Sequence, residues 1–170
     1  MARYVALVRA VNVGGTGKLP MKDLVAMCTK AGFVEARTYI ASGNVVFEAK
    51  VSEAKVKAIL EAALHEYAGK PVGVFVRTHA EIAAVLKANP FPDAAPNRTI
   101  VVFLDDAPPK DALKNATGVK DEEMKLGKRE IYIHYGEGMG SSKLKIPAAT
   151  HGTARNINTV SKLAEMSKAP

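Results

Sequence analysis

The chain has 170 residues, 48% of them hydrophobic and 24% charged, and this composition excludes a disordered chain, a collagen-like chain and a disulfide-rich scaffold. Its 24 Lys and Arg residues outnumber its 17 Asp and Glu residues, which gives a formal net charge of +7. The excess allows an anionic partner such as a nucleotide, a phosphorylated metabolite or a nucleic-acid backbone, although a basic surface that is only solvated is the simpler explanation.

The first 77 residues alternate between patterns typical of strands and of helices. Runs rich in β-branched and apolar residues predict four strands, over 3–11, 37–41, 45–49 and 72–77. Apolar residues at helical spacing predict two helices, one that begins near Pro20 and one that Ser52 caps. The order β-α-β-β-α-β is that of a ferredoxin-like unit, in which both helices cover one face of an antiparallel sheet.

The second half repeats this order less clearly. A capping box at 78–81 starts a short helix, and the Pro-rich segment 91–96 marks a boundary between domains over 1–90 and 97–170. Three further strands are predicted over 99–104, 123–126 and 130–135, and three further helices over 111–116, 141–146 and 156–166. We therefore expect an α+β fold of two ferredoxin-like units, the second incomplete, with antiparallel sheets and helices on one face.

The first candidate site follows from the topology of the N-terminal unit. The loop after the first strand, the turn before the third strand and the loop before the fourth strand should meet at one end of the sheet. Glycine-loop N–H groups, a helix N-terminus and basic side chains all favour an anion there. The candidate ligand-binding residues at this end are Arg9, Asn12, Gly14, Gly15, Lys18, Ser42, Gly43 and Asn44. The loop matches neither the P-loop nor the dinucleotide-binding pattern, so glycines that only turn the chain are the alternative.

The second candidate site lies in the C-terminal third of the chain. A glycine-rich loop over 136–140 leads to Ser142 and Lys143, and a polar run with Arg155 and Asn156 enters the final helix. A hydroxyl, two cationic side chains and a helix N-terminus can hold a phosphate or carboxylate group, so these four residues are candidate ligands. Helix capping is the alternative role for Asn156.

Other reactive side chains do not form a recognisable site. The four histidines and Cys28 lack metal-ligand spacing, so neither a metal nor a cofactor is predicted. Cys28 lies on the apolar face of the first predicted helix and is assigned to the core. The acidic run 121–123 is interpreted as a solvated turn before a strand.

Location is inferred from what the sequence does not contain. No apolar run approaches the roughly 18 residues that span a membrane. The first apolar run ends at Arg9 without the small-residue cleavage site of a secretory signal. A single cysteine fits a reducing compartment. We therefore expect a cytoplasmic protein without a membrane partner.

Four segments together resemble the bacterial family catalogued as domain of unknown function 1697, over nearly the whole chain and in the same order. They are YVALVRAVNVGG (4–15), TYIASGNVVF (38–47), SKL (142–144) and TARNINTV (153–160). The resemblance implies an α+β fold related to a pair of ferredoxin-like units, and it implies no activity because the role of the family is not established. Ala10 and Ile157 depart from the family pattern, which usually has Gly and Trp at these positions.

Three functions are compatible with these features, and we favour the first. One is a binding module for an anionic ligand at the glycine-rich loops. The second is a structural or protein-interaction module without a small ligand. The third is a small phosphoryl or acyl-phosphate hydrolase, by analogy of fold with the acylphosphatases, in which Arg9 would hold the phosphate and Asn12 or Asn44 would place the water.

Overall fold

The computed structural model of the protein describes residues 1–10, 18–136 and 139–169. In these residues the chain has an α+β fold with two four-stranded sheets, and every pair of neighbouring strands is antiparallel. The chain divides into two compact units, Met1–Ala83 with Leu163–Pro170 and Ala84–Lys162. The predicted α+β class with antiparallel sheets is confirmed.

Unit 1 contains the first four strands in the order β2-β3-β1-β4. The strands are β1 (Ala2–Val8), β2 (Val34–Thr38), β3 (Asn44–Ala49) and β4 (Val74–Thr78). Helices α1 (Met21–Lys30) and α2 (Glu53–Ala68) connect them, and α3 (His79–Lys87) follows β4. The element order over residues 1–78 is therefore β-α-β-β-α-β, as the sequence predicts.

Alternation along β1 determines how the helices of unit 1 pack. Tyr4, Ala6 and Val8 lie on one face of the sheet, in a buried cluster with residues of α1 and α2. Period-two alternation places alternate side chains of a strand on opposite faces, so both helices cover this face. Phe33 stacks on Phe47 within the cluster, with ring centroids 4.7 Å apart.

Side-chain caps fix the starts of two helices where the sequence predicts them. The Ser52 hydroxyl accepts a hydrogen bond from the Lys55 backbone N–H at the start of α2. At the start of α3, the Glu81 N–H donates to Thr78 Oγ1 and the Thr78 N–H donates to Glu81 Oε1. This reciprocal pair is a capping box, and it satisfies backbone donors that the helix itself leaves unpaired.

Unit 2 contains the second sheet, in the order β6-β7-β5-β8. The strands are β5 (Thr99–Phe103), β6 (Glu123–Leu126), β7 (Glu130–His134) and β8 (Thr153–Asn156). Helix α4 (Ile157–Met166) follows β8 directly, and three short 3-10 helices cover Pro96–Arg98, Met139–Ser141 and Pro147–Ala149. Ile100, Val102, Ile131 and Ile133 form the centre of its apolar cluster.

Two sequence predictions for unit 2 are wrong, and one strand was missed. Residues 111–116 form consecutive turns instead of a helix, because a segment this short cannot nucleate a stable helix without an extended apolar face. Residues 141–146 are also not helical, and the backbone of Lys145 pairs with Thr117 instead. Residues 153–156 form the edge strand β8, which the sequence did not predict because its inward-facing residues, Thr153 and Arg155, are polar.

The edge strands β4 and β8 end in the same local arrangement. Arg77 is opposite Val5 of β1, and Arg155 is opposite Val101 of β5. Both arginines are buried, and each precedes a residue whose side chain accepts the N–H three positions later. The repeated unit is thus an edge strand, a buried arginine, a cap and a helix, although the two segments share little sequence.

Candidate functional site

Two backbone hydrogen bonds bring three chain connections of unit 1 to one end of its sheet. The Val8 N–H donates to the Gly43 carbonyl over 2.8 Å, and the Arg9 N–H donates to the Gly73 carbonyl over 2.9 Å. The end of β1, the turn before β3 and the segment before β4 therefore lie together. The half-buried Arg9 side chain packs beside Gly73, whose missing Cβ would lie 3.7 Å from Arg9 Cβ and Cδ.

The turn before β3 is held from inside by Asn44. Its side chain is fully buried, and Nδ2 donates to the Tyr39 carbonyl at 3.0 Å and to Ser42 Oγ at 2.9 Å. The amide nitrogen has two hydrogens, so both are used within the turn. Gly43 has a φ of 88°, a conformation that glycine adopts without steric cost. Asn44 thus fixes the shape of the turn that Ser42 and Gly43 present.

Two of the three described non-glycine residues with a positive φ lie at this end of the sheet, and the third is Glu35 of β2, with a φ of 56°. Ala10 and Ile40 have φ values of 53° and 51°, in the left-handed region that non-glycine residues rarely adopt. Ile40 is β-branched and more than half exposed, so no hydrophobic burial offsets its strained backbone. The value at Ala10 gives a physical reason why a glycine suits this position. Strained residues often occur at functional sites.

Two lysines of unit 1 and the start of α1 are further candidates for this end of the sheet. Lys18 is exposed, and α1 begins at Met21 after Pro20 without a side-chain cap from any described residue. Lys57, which the sequence did not predict as part of the site, lies beside the first residue of β4. Its Nζ contacts Glu61 Oε2 at 3.1 Å and donates to the Val74 carbonyl. The sequence did carry one indication of the Lys57–Glu61 ion pair, because the two residues are four positions apart in a helix.

Three predicted ligand residues of this site, Asn12, Gly14 and Gly15, lie outside the described residues. Of the remaining predicted residues, Arg9 and the turn Ser42-Gly43-Asn44 are joined through the contacts given above. Lys18 is an exposed residue before α1.

The second predicted loop lines a cavity of about 460 Å³ in unit 2. Ser142 and Lys143 form one wall together with Ser141, and residues 118–122 form the other. Ser142 Oγ donates to Glu122 Oε2 over 2.9 Å, and Glu122 Oε1 accepts hydrogen bonds from the N–H groups of Lys120 and Asp121. Glu122 is buried, so the interpretation of 121–123 as a wholly solvated turn is wrong for this residue.

Arg155 and Asn156 do not line that cavity. Arg155 lies in β8, where its Nη1 donates to Thr153 Oγ1 at 2.8 Å and to the Ala154 carbonyl at 2.9 Å. Burial lowers the pKa of its guanidinium to about 10, because a desolvated cation is disfavoured. Asn156 Oδ1 accepts the Thr159 N–H at 2.9 Å, so Asn156 caps α4.

The described residues contain neither a metal-ligand cluster nor a membrane-spanning helix. No group of three or more His, Cys, Asp or Glu side chains there is placed to hold a metal ion. None of the helices in that part of the chain is long and apolar enough to cross a membrane. Cys28 is buried in the core of unit 1, as the sequence predicts, and burial raises the pKa of its thiol to about 12.

Comparison with known proteins gives a family and a fold. A conserved bacterial protein, SP0830 from Streptococcus pneumoniae, has a similar solved structure, with a TM-score of 0.82 and 27% identity over 98% of this chain and 99% of that chain. A comparison with curated proteins gives no match. The resemblance at 142–144 and 153–160 falls beyond the range that the family model covers. Because the model of the protein family of unknown function DUF1697 matches residues 1–132, the chain belongs to that family.

Proposed function

We propose that the protein binds a small phosphate-bearing anion at the end of the unit 1 sheet formed by Arg9, Lys18 and the turn Ser42-Gly43-Asn44. The observation that carries the proposal is the meeting of three chain connections at this end, through the Val8–Gly43 and Arg9–Gly73 hydrogen bonds. Anions bind in proteins where cationic side chains meet backbone N–H groups at a turn or a helix start.

The chemistry of the residues at this end supports an anion more than a neutral ligand. Lys18 is exposed, Arg9 is half-buried, and α1 begins nearby with the positive end of its dipole. The strained backbone at Ala10 and Ile40 adds support for this end, since strained residues often occur at functional sites.

The sheet itself supports a small anion over a nucleic acid. Proteins that read single-stranded RNA on a sheet stack bases on exposed aromatic rings of the central strands. Here Tyr4 of β1 and Phe47 of β3 are 5% and 1% exposed, and both belong to the cluster that the helices cover. Nucleic-acid bases cannot stack on these buried rings. The proposed ligand is therefore a nucleotide or a phosphorylated metabolite instead of a nucleic acid.

The hydrolase alternative receives less support from the turn. A residue that orients an attacking water must offer a free donor or acceptor towards the phosphate. Asn44 is fully buried, and both of its amide hydrogens are used by Tyr39 and Ser42, while Asn12 lies outside the described residues. Binding without turnover is therefore the function that we propose.

A second part of the proposal concerns the topology of the two units. We infer that each unit is ferredoxin-like, since the strand orders β2-β3-β1-β4 and β6-β7-β5-β8 have the same pattern. Unit 2 has turns and 3-10 helices in place of α1 and α2, which supports an incomplete second copy. Domains over 1–90 and 97–170, and a cytoplasmic location, stay predictions.

The proposal is tested by protein-observed NMR with ATP and inorganic pyrophosphate as probes. We expect amide shifts to concentrate at Arg9, Lys18, Gly43 and Gly73 and to saturate as probe is added. Adenosine, which is ATP without its phosphates, serves as the matched neutral probe and should leave these amides unchanged. Shifts that spread over surface lysines without saturation would contradict the proposal.

A further inference from the structure

Unit 2 contains a second cavity whose chemistry differs from that of the anion site. Segments 118–122 and 141–143 enclose about 460 Å³, which lies within the range of roughly 300–1,000 Å³ typical of small-molecule sites. This cavity belongs to a different unit and takes no residue from the end of the unit 1 sheet. An inference about it therefore stands independently of the function proposed above.

The two walls of the cavity are held together by their backbones. Thr117 and Lys145 exchange two hydrogen bonds, of 2.9 Å and 2.8 Å. Gly118 has a φ of 69°, and a Cβ at this position would lie 2.1 Å from the Lys143 carbonyl oxygen. Only glycine allows so close an approach, so the distance between the two walls depends on Gly118.

One side of the cavity contains a fixed negative charge. Glu122 is 8% exposed, and its carboxylate accepts hydrogen bonds from the Lys120 and Asp121 N–H groups and from Ser142 Oγ. The backbone hydrogen bond from Lys120, followed by that from Ser142, lowers the pKa of Glu122. Among the described residues, Oε2 accepts only the Ser142 hydroxyl, and a carboxylate oxygen accepts about two hydrogen bonds. A ligand donor therefore fits beside it.

The same cavity is lined by groups of opposite charge. Asp121 adds a second, exposed carboxylate, while Lys120 and Lys143 are exposed ammonium groups. A simple anion would be repelled by the two carboxylates, and a simple cation would be repelled by the two lysines. A metal ion is not favoured either, since no cluster of three ligating side chains occurs among the described residues.

We propose that this cavity binds a zwitterion of the α-amino-acid class. The ligand ammonium group donates to the carboxylates of Glu122 and Asp121, and the ligand carboxylate pairs with Lys143 and Lys120. Charge-assisted hydrogen bonds of both signs then recognise the two ends of one small molecule. The ligand side chain occupies the remaining volume, beside Val119.

The test is a protein-observed NMR titration with each of the standard protein amino acids at millimolar concentration. We expect at least one amino acid to give saturable shifts at the amides of residues 118–122 and 141–143. Acetate and ethylamine carry only one of the two charges each, so neither should match that affinity. No saturable shift with any amino acid, or equal binding of acetate or ethylamine, would overturn the proposal.

Two variants and a matched control connect the binding to this cavity. Glu122→Gln removes the fixed charge, and Lys143→Met removes an exposed charge; each should weaken binding by about tenfold. Lys145→Met removes an equally exposed lysine two residues away that does not line the cavity, and it should bind as the wild type does. Binding that Lys143→Met leaves as tight as in the wild type would also overturn the proposal, whether or not Glu122→Gln folds.

Discussion

The backbone N–H of Arg9 donates a 2.9 Å hydrogen bond to the carbonyl of Gly73, so the residue after β1 is joined to the residue before β4. This contact places the Arg9 side chain at an end of the sheet that the Val8–Gly43 hydrogen bond also joins to the turn before β3. The sheet itself thus positions the cation of the proposed site. The contribution of the neighbouring turn can be measured as a change in the free energy of unfolding.

The turn that faces Arg9 should depend on Asn44. We expect Asn44→Ala to lower the free energy of unfolding by about 1–3 kcal/mol, because it leaves the buried turn without two hydrogen bonds. Urea denaturation measures the loss. Ser42→Ala removes one of the two acceptors of the Asn44 amide at a half-buried position and serves as the control, with a smaller expected loss. Equal losses for the two variants would show that the Asn44 amide does not hold the turn.

Relief of backbone strain should stabilise the protein at Ala10. Its φ of 53° is costly for alanine and free of strain for glycine, so Ala10→Gly should raise the free energy of unfolding by about 1 kcal/mol. Ala31, which ends α1 with a φ of −74°, provides the control. Ala31→Gly should be destabilising, since it increases the entropy of the unfolded chain and removes a methyl group that packs against the core of unit 1. The free energies of unfolding are measured by thermal or urea denaturation. A lower stability for Ala10→Gly than for Ala31→Gly would contradict the proposed backbone strain at Ala10.

Cys28 should make the protein less stable at alkaline pH. Burial raises the pKa of the thiol from 9.0 to about 12, so the unfolded chain releases this proton at lower pH than the folded chain does. The stabilising contribution is complete below pH 9 and is lost as the pH rises towards 12, by about 1 kcal/mol at pH 10.

The Cys28 contribution is isolated by comparison with Cys28→Ala. Unfolding by urea between about pH 8 and pH 10 should show a steeper decline for the wild type than for the variant, which has no thiol to titrate. Tyr132, whose pKa burial also raises to about 12, remains in both proteins and so cancels in the difference. Parallel pH profiles would mean that Cys28 titrates normally in the folded protein.

Asn156 should act as a helix cap. Asn156→Ala removes the acceptor for the Thr159 N–H and should lower the free energy of unfolding by about 1 kcal/mol. Asn158 is exposed within α4, and Asn158→Ala should change stability by less than about 0.5 kcal/mol. If Asn156→Ala instead left stability unchanged and abolished ligand binding, Asn156 would be a ligand residue.

The sequence predicted those elements whose local chemistry agrees with their packing. The capping box at Thr78 and Glu81 was visible because its two side chains serve only the adjacent backbone. Strand β6 was predicted with the bounds Glu123–Leu126 that the structure has, since exposed and half-buried residues alternate along it. In both cases the information is local and lies within a few residues.

The elements that were missed depend on distant partners. Strand β8 exists because β5 pairs with it, and its inward-facing Arg155 gives no apolar alternation to recognise. The burial of Glu122 depends on Ser142, a residue twenty positions away, so an acidic run gave no sign of it. For the candidate site, topology predicted which connections meet at Arg9, whereas the role of Lys57 beside β4 required the structure.

The central claim, an anion site at the end of the unit 1 sheet, is tested most directly by pyrophosphate binding to two lysine variants. Lys18 and Lys30 are both exposed, near the start and at the end of α1, so Lys18→Met and Lys30→Met change the net charge equally. Isothermal titration at increasing salt should show binding that weakens as charges are screened. We expect Lys18→Met to bind about tenfold more weakly than the wild type and Lys30→Met to bind as the wild type does. Equal weakening by both variants, or no binding by the wild type at low salt, would contradict the site.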